Sequence, residues 1–238
     1  MRINKFLAEC GVASRRAADE MIRSGRVSVN GKKMTEPGYD VVVENDAVCV
    51  DGRRVKPVSH YTYLMIYKPK GCICSRSDEL GRKTIYDYVK LEKKLDCVGR
   101  LDYDSEGLLL LTNDGELLHR LTHPSYEIPK TYVIKIEGGI TEDELKAWRK
   151  GLKLDDGTVT APAQVSLLGT EDKLCRLEVT IREGKNREIR RMAEALGKNV
   201  VFLKRTALGE LKLGGLGRGA SRFLTAKEVS YLKKLTKD

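Results

Sequence analysis

Apolar positions along the first part of the chain recur with helical spacing and then change period. Ile3, Phe6, Leu7 and Cys10 fall at i, i+3, i+4 and i+7, one face of a helix that Gly11 is placed to end. Ser14 is a good N-cap for a second helix, with Ala17, Ala18, Met21 and Ile22 as its apolar side and Gly25 as its stop. The period then drops to two. Val27 and Val29 alternate with polar residues up to Asn30-Gly31, the strongest short hairpin signal, and strand-like segments follow at Val41–Val43 and Val48–Val50 before Asp51-Gly52. The pattern predicts a small module of two helices followed by short strands.

Beyond a linker around Lys56-Pro57-Val58-Ser59, the segment Tyr63–Tyr67 reads as a strand that ends where Pro69 removes a ladder donor. Leu108–Leu111 is a continuous apolar run between Gly107 and the turn signal Asn113-Asp114-Gly115, which predicts a buried strand. Ile128–Ile136 alternates again, with Tyr132 near its start, where a tyrosine ordinarily serves packing. A further strand ends at Ile181 and is broken by Gly184. Asn186 can cap a helix whose apolar face is Ile189, Met192, Ala193 and Leu196, whose Arg187, Arg190 and Arg191 point largely elsewhere, and which Gly197 ends.

Charge sharpens this picture. The net charge is +10, and it is uneven: residues 1–57 carry +3, residues 58–181 carry −2 and residues 182–238 carry +9. A basic excess of this kind suits a polyanionic partner, most simply nucleic acid, although a solvated basic surface gives the same count. Within the first module the basic residues are grouped. Arg15 and Arg16 occupy the first turn of the second helix, where positive charge opposes the helix dipole, and Arg23, Arg26, Lys32 and Lys33 follow at its exit and along the hairpin. A phosphate-facing role accounts for that placement, with ordinary surface charge as the alternative. The six cysteines show neither CxxC pairs nor zinc-finger spacing, so reduced thiols in a cytoplasmic protein are expected. The start leads into no sustained apolar region, so neither a signal peptide nor a bilayer-spanning segment is expected.

The candidate chemistry lies in Gly99-Arg100-Leu101-Asp102-Tyr103-Asp104-Ser105-Glu106-Gly107, a charged stretch at the mouth of the predicted buried strand. There a carboxylate can be partly desolvated and given a defined partner. Asp102 and Asp104 are the candidates. Asp-rich loops before strands are commonly turn formers or caps. Asp102, Asp104, Glu106 and Gly107 also fall at the first, third, fifth and sixth positions of a calcium loop, but the twelfth position is Asn113 and the loop interior is leucine. Two acids two residues apart rarely face each other across a sugar, which disfavours a glycosidase pair. Lys185, at the strand-to-helix turn, is either a side chain entering a site or a solvated loop lysine.

Phe6-Leu7-Ala8 through Gly11-Val12-Ala13-Ser14-Arg15-Arg16, with Gly25-Arg26-Val27 and Val29-Asn30-Gly31, resembles an S4 RNA-binding domain. Three further pieces resemble the pseudouridine synthases of the ribosomal small-subunit type, which join an S4 domain to a compact catalytic domain. These are Gly99-Arg100-Leu101-Asp102 with Ser105–Gly115, Lys130-Thr131-Tyr132, and Glu183–Arg187 with Ile189–Met192; Leu203-Lys204-Arg205 with Gly209 adds to the match. Glu188 stands where that family usually has glutamine, which bears on local hydrogen bonding to RNA.

The resemblance implies an α+β protein. Residues 1–58 would form the S4 (α-L) domain, and residues 59–238 a synthase domain with a mostly antiparallel or mixed sheet and flanking helices. It also implies isomerisation of a uridine in ribosomal RNA to pseudouridine, with Asp102 essential. Lys185 would pair with Asp102 and favour its ionised form, and Tyr132 would stack on the uracil or help proton transfer at C5. Leu203 would pack beneath the base, and Arg100, Arg187 and Arg190 would contact the substrate. Arg15, Arg16, Arg26 and Lys32 would bind RNA backbone, while Asp104 shapes its loop. No cofactor or metal is called for, and no GxGxxG or P-loop motif is found. The expected partner is ribosomal RNA, the large subunit favoured and the small subunit open, acted on by a cytoplasmic monomer. A non-catalytic RNA-binding or ribosome-assembly protein is the main alternative, and it would have no need of Asp102, Tyr132 and Lys185 together. A methyltransferase would need a glycine-rich cofactor loop, which is not found.

Overall fold

A computed structural model of the chain describes residues 1–89, 91 and 94–236. The chain forms two compact units. One is Met1–Thr62 with Asn113–Gly115, and the other is Tyr63–Thr112 with the chain from Glu116 onward. Among the described residues no helix is long and apolar enough to cross a membrane.

In the first unit, helix α1 (Ile3–Glu9) and helix α2 (Arg15–Arg23) precede strands β1 (Val27–Val29), β2 (Lys32–Met34), β3 (Val48–Val50) and β4 (Arg53–Arg54), which form a sheet in the order β2-β1-β3-β4. The Ser14 side chain caps α2 by accepting the Ala17 N–H at 3.2 Å. Asn30 and Gly31 both have positive φ, 51° and 80°, as a two-residue hairpin turn requires. Ile3, Phe6, Leu7, Ala18 and Ile22 pack on Val27, Val29, Val48 and Val50 to make the core. The strand expected at Val41–Val43 is absent. Asp46 accepts the Val42 N–H at 2.9 Å, and the Asn45 and Asp46 amides bond Val42 O, so this segment turns.

The second unit is built on one mixed, nine-stranded sheet. Strands β5 (Tyr63–Lys68), β6 (Asp96–Val98), β7 (Glu106–Thr112), β8 (Lys130–Glu137), β9 (Gln164–Glu171), β10 (Leu174–Ile181), β11 (Val200–Leu208), β12 (Leu211–Lys212) and β13 (Ser221–Phe223) contribute. The main path runs β13-β5-β7-β11-β8-β10-β9, with β12 on β11 and β6 on β7. Helices α3 (Gly115–Thr122), α4 (Glu142–Lys150), α5 (Glu188–Ala195) and α6 (Ala226–Leu235) flank the sheet, with short 3-10 turns at Ile85–Asp87 and Pro124–Tyr126. Trp148 of α4 and Ile189, Met192 and Ala193 of α5 pack on β8, β10 and β11. Leu117 and Leu121 of α3 and Leu232 of α6 pack with Leu108 and Leu110.

All seven residues of β7 are buried, as the leucine run predicts. Its C-terminal half lies between β5 and β6, and its N-terminal half between β5 and β11. The β7–β11 pairing is parallel, with Glu106 opposite Lys204 and Gly107 opposite Arg205. Gly107 makes that approach possible. Its φ is +113°, and a Cβ there would strike the Arg205 carbonyl oxygen and lie 2.7 Å from the Arg205 nitrogen. Gly107→Ala is therefore expected to destabilise the protein by more than about 2 kcal/mol, since backbone strain and overpacking each cost about 1–3 kcal/mol. Urea unfolding of the full chain measures this.

Candidate active site

The loop between β6 and β7 carries Asp102, and the ammonium of Lys68 holds it in shape. Lys68 ends β5 and is fully buried. Its Nζ donates to the carbonyl oxygens of Pro69 (3.1 Å), Asp102 (2.9 Å) and Ser105 (2.8 Å). Burial lowers the Lys68 pKa, opposed by attraction to Cys72, Cys74, Asp102 and Asp104. The loop is tightened further by the Ser105 N–H, which donates to Asp102 O at 3.1 Å. From beneath, Cys74 Sγ accepts the Leu101 N–H at 3.4 Å. The Cys97 thiol, with the Leu101 amide, Lys68 and Arg205, holds the Cys74 thiol well below the usual range against the effect of burial.

Asp102 faces a cavity of about 910 Å³. The same cavity is lined by Arg100, Tyr132, Lys185, Arg187, Arg190 and Leu203, so every residue expected at the catalytic and substrate-binding site converges there. Strand register explains two of them. Tyr132 of β8 sits opposite Arg205 of β11, and Leu203 lies two residues before Arg205 on the same face. Tyr132 and Leu203 are buried, with 7% and 5% exposure, and the Tyr132 hydroxyl has no hydrogen-bond partner among the described residues.

Three details differ from the expectations. Lys185 does not pair with Asp102. Its Nζ forms an ion pair with Glu183 Oε2 at 2.7 Å and donates to Val159 O at 3.0 Å, because Glu183 shares its loop and turns toward it. Among the described residues no basic side chain forms an ion pair with Asp102. Arg190 does not point away from its helix's packed side. It is 7% exposed, its Nη1 donates to Val200 O at 2.8 Å, and its Nη2 lies 3.0 Å from Asp104 Oδ2. Arg187 Nη1 joins Asp104 Oδ1 at 3.6 Å, so Asp104 clamps its loop to the start of α5. Finally, Arg187 rather than Asn186 stands at the N-cap, with φ +48° and no side-chain cap.

Three cations at the site had no role marked in the sequence: Lys130 and Arg205, which lie within the motifs, and Lys68, which precedes Pro69. Arg205 is 3% exposed, donates from Nε to Leu108 O at 2.7 Å and lines the cavity. Lys130 also lines it, donating to Ile128 O at 3.2 Å and Glu183 O at 3.4 Å; burial, then Arg205, lowers its pKa. The lysines and arginines that line the cavity outnumber its acids, Asp78, Asp102, Glu183 and Glu188, and fit it for a ligand with phosphates; Asp78 is paired with Arg82 and Glu183 with Lys185, whereas Asp102 has no ion pair among the described residues. In the first unit, Arg15, Arg16, Arg26 and Lys32 are all exposed. Arg26 is engaged by Asp51 through bonds of 3.0 and 2.6 Å, whereas Arg15, Arg16 and Lys32 have no ion pair among the described residues.

Residues 62–195 match the family model described as RNA pseudouridylate synthase, and residues 1–46 match the S4 domain. The ribosomal large subunit pseudouridine synthase B of Bacillus subtilis (strain 168) is 44% identical over 237 residues, covering 98% of this chain and 96% of that protein. The protein of the same name from Vibrio cholerae serotype O1 (strain ATCC 39315 / El Tor Inaba N16961) is 38% identical, covering 98% of this chain and 74% of that protein. A crystal structure of a pseudouridylate synthase is similar with a TM-score of 0.72 at 33% identity, covering 98% of this chain and 99% of that one. Both named relatives carry large-subunit names, so the small-subunit branch expected from the motifs is not supported.

Lys68→Met is expected to lower stability by about 3 kcal/mol, since leaving a buried acceptor without its donor costs about 1–3 kcal/mol and three carbonyls lose one donor. The Ser105 amide should lose hydrogen-exchange protection more than amides in α4, which reads the loop separately from global unfolding.

Proposed function

Because this chain belongs to the RNA pseudouridylate synthase family and carries an S4 domain at its N-terminus, we propose that it isomerises a uridine of large-subunit ribosomal RNA to pseudouridine in the Asp102 cavity. The observation that carries this reading is the convergence of Asp102, Tyr132 and Leu203 on one positively lined cavity, with the Asp102 loop fixed from below by Lys68. The large-subunit target rests on the names of the relatives, and the exposed basic residues of the first unit support RNA as the ligand.

The chemistry suits these residues. In the reaction the bond between uracil N1 and ribose C1′ breaks, the base turns, and a C5–C1′ bond forms. The proton on C5 leaves and a proton ends on N1. Substrate and product are isomers, so atoms and electrons balance without a cofactor. Positive charge develops on the ribose as the glycosidic bond breaks, and the Asp102 carboxylate is the group that meets it. Tyr132 faces the base and takes part in moving the C5 proton. Leu203 supplies an apolar floor beneath the uracil, and Arg100 and Arg187 bind flanking phosphates. Arg190 serves differently from the expectation: its guanidinium is committed to Asp104 and Val200 O, so it holds the loop. A uridine must leave its stack to enter, at a cost of a few kcal/mol, which backbone contacts offset.

Asp102→Asn keeps the side chain's size and removes its charge. Pseudouridine formation on a ribosomal RNA fragment should fall roughly 10³-fold or more, while RNA binding by filter retention is kept; turnover near that of the unaltered protein would contradict the assignment. For the first unit, the double variant Arg15→Ala with Arg16→Ala should weaken RNA binding and reduce the salt slope of log K by about 2. Titrations at several salt concentrations measure it.

A further inference from the structure

The loop that brings Lys185 and Arg187 to the cavity is anchored by two carboxyl groups in contact. Glu188 is 3% exposed. Its Oε2 accepts the Lys185 backbone N–H at 2.9 Å, while its Oε1 is sealed from solvent and meets no donor. The Glu183 carboxyl is its neighbour in the lining of the same cavity, and the two carboxyl groups interact. Glu183 is satisfied elsewhere as an anion: Oε1 accepts the Ala161 N–H at 2.7 Å, and Oε2 holds the Lys185 ammonium at 2.7 Å. Two ionised carboxylates in such contact, one of them buried with a donorless oxygen, repel each other, and the Lys185 ammonium offsets this only in part. A single proton on Glu188 removes the repulsion and supplies the missing donor.

We propose that Glu188 carries a proton at neutral pH and donates it to Glu183, and that this shared proton positions the loop 182–187 against the cavity. Glu188 touches neither base nor ribose in this account; it is a positioning residue that acts through Glu183. The charged groups facing it are Glu183 and Lys185 of the loop and Lys130 of β8, whose ammonium also bonds Glu183 O. Burial first, then the hydrogen bond and charge of Glu183, push the Glu188 carboxyl up to about 8, while Lys185 acts in the opposite direction. Glu183 is moved down, with the bonds from Glu188, Lys185 and the Ala161 amide outweighing burial. Loss of the proton at alkaline pH would set Glu188 against Glu183 and push the Glu183 carboxylate, which holds the Lys185 ammonium, out of its place. The chain thereby gains a pH-sensitive anchor that an amide at position 188 would make permanent.

The consequence for stability has a definite sign. A carboxyl raised on folding binds its proton in the folded chain and not in the unfolded one between the ordinary glutamate range and about 8. Its contribution is therefore full below that window and is lost as pH rises through it. The melting temperature of the unaltered protein should fall between pH 5 and pH 8 relative to that of Glu188→Gln.

The deciding experiment is a carbon-13 NMR titration of the full chain labelled at glutamate Cδ, which reads the proton without RNA. One glutamate carboxyl should titrate above pH 7, vanish in Glu188→Gln, and move toward the ordinary range in Glu183→Gln. If every glutamate titrates below pH 6, proton sharing is overturned. The positioning role rests on the proposed uridine isomerisation and is read by kcat against pH. The unaltered protein should show an alkaline limb that Glu188→Gln lacks, and Glu188→Ala should have kcat at least tenfold below Glu188→Gln at every pH. Equal impairment of the two variants, or identical alkaline limbs in the unaltered protein and Glu188→Gln, would overturn the positioning role. An unaltered chain with the titration but no turnover on any ribosomal RNA would instead refute the proposed reaction.

Discussion

A single buried ammonium ties the large sheet to the candidate site. Lys68 sits at the end of β5, with no exposed surface, and spends its three N–H bonds on three carbonyl oxygens of two loops. The desolvation of a lysine is costly, and only such a complete set of acceptors makes its burial tolerable. The arrangement fixes the backbone at Asp102 and Ser105, immediately before a strand buried along its whole length. The carboxylate thus projects from a loop that is held from below at the mouth of a rigid strand.

Around that fixed point the charges are divided between structure and ligand. Asp104 takes the guanidinium of Arg190 and the nearby Arg187, and so joins the loop to α5. Glu183 takes Lys185, and Glu106 takes the Tyr67 hydroxyl at 2.5 Å and Arg218 at 3.1 Å. Asp102 alone among these four acids has no ion pair within the described residues. An unpaired carboxylate in a cavity with Lys130 and Arg205 nearby is available to a developing positive charge, while the cations suit the phosphates of the same substrate. The close contact of β7 with β11 at Gly107 brings the two sets together, since Leu203 and Arg205 reach the cavity from β11.

Much of this was legible in the chain, and the failures have local causes. Alternation placed β1 and β8, and the leucine run placed β7, because burial on one or both faces leaves a direct imprint on residue order. Val41–Val43 has the apolar composition of a strand, yet Asp46 captures the Val42 amide and turns it. The residues converging on the cavity were readable from motifs, but their pairings were not. Spacing does not say that Glu183 outcompetes Asp102 for Lys185, or that Arg190 folds back onto Asp104. Lys68 was hidden because a lysine before Pro69 looks like an ordinary turn residue. Its signal was its position in phase with an almost wholly buried strand. Arg205, likewise, is in phase with Leu203 on β11, and that register could have marked it.

A basic S4 unit, a positively lined cavity and the unpaired Asp102 carboxylate together suit an enzyme that rearranges a uridine within ribosomal RNA. The most direct measurement is chemical mapping of pseudouridine across the ribosomal RNA of cells that have the gene and cells that lack it. Cells that lack the gene should lose pseudouridine at a large-subunit uridine and regain it when the gene is returned. An unchanged map, or losses confined to RNA outside the large subunit, would contradict this assignment.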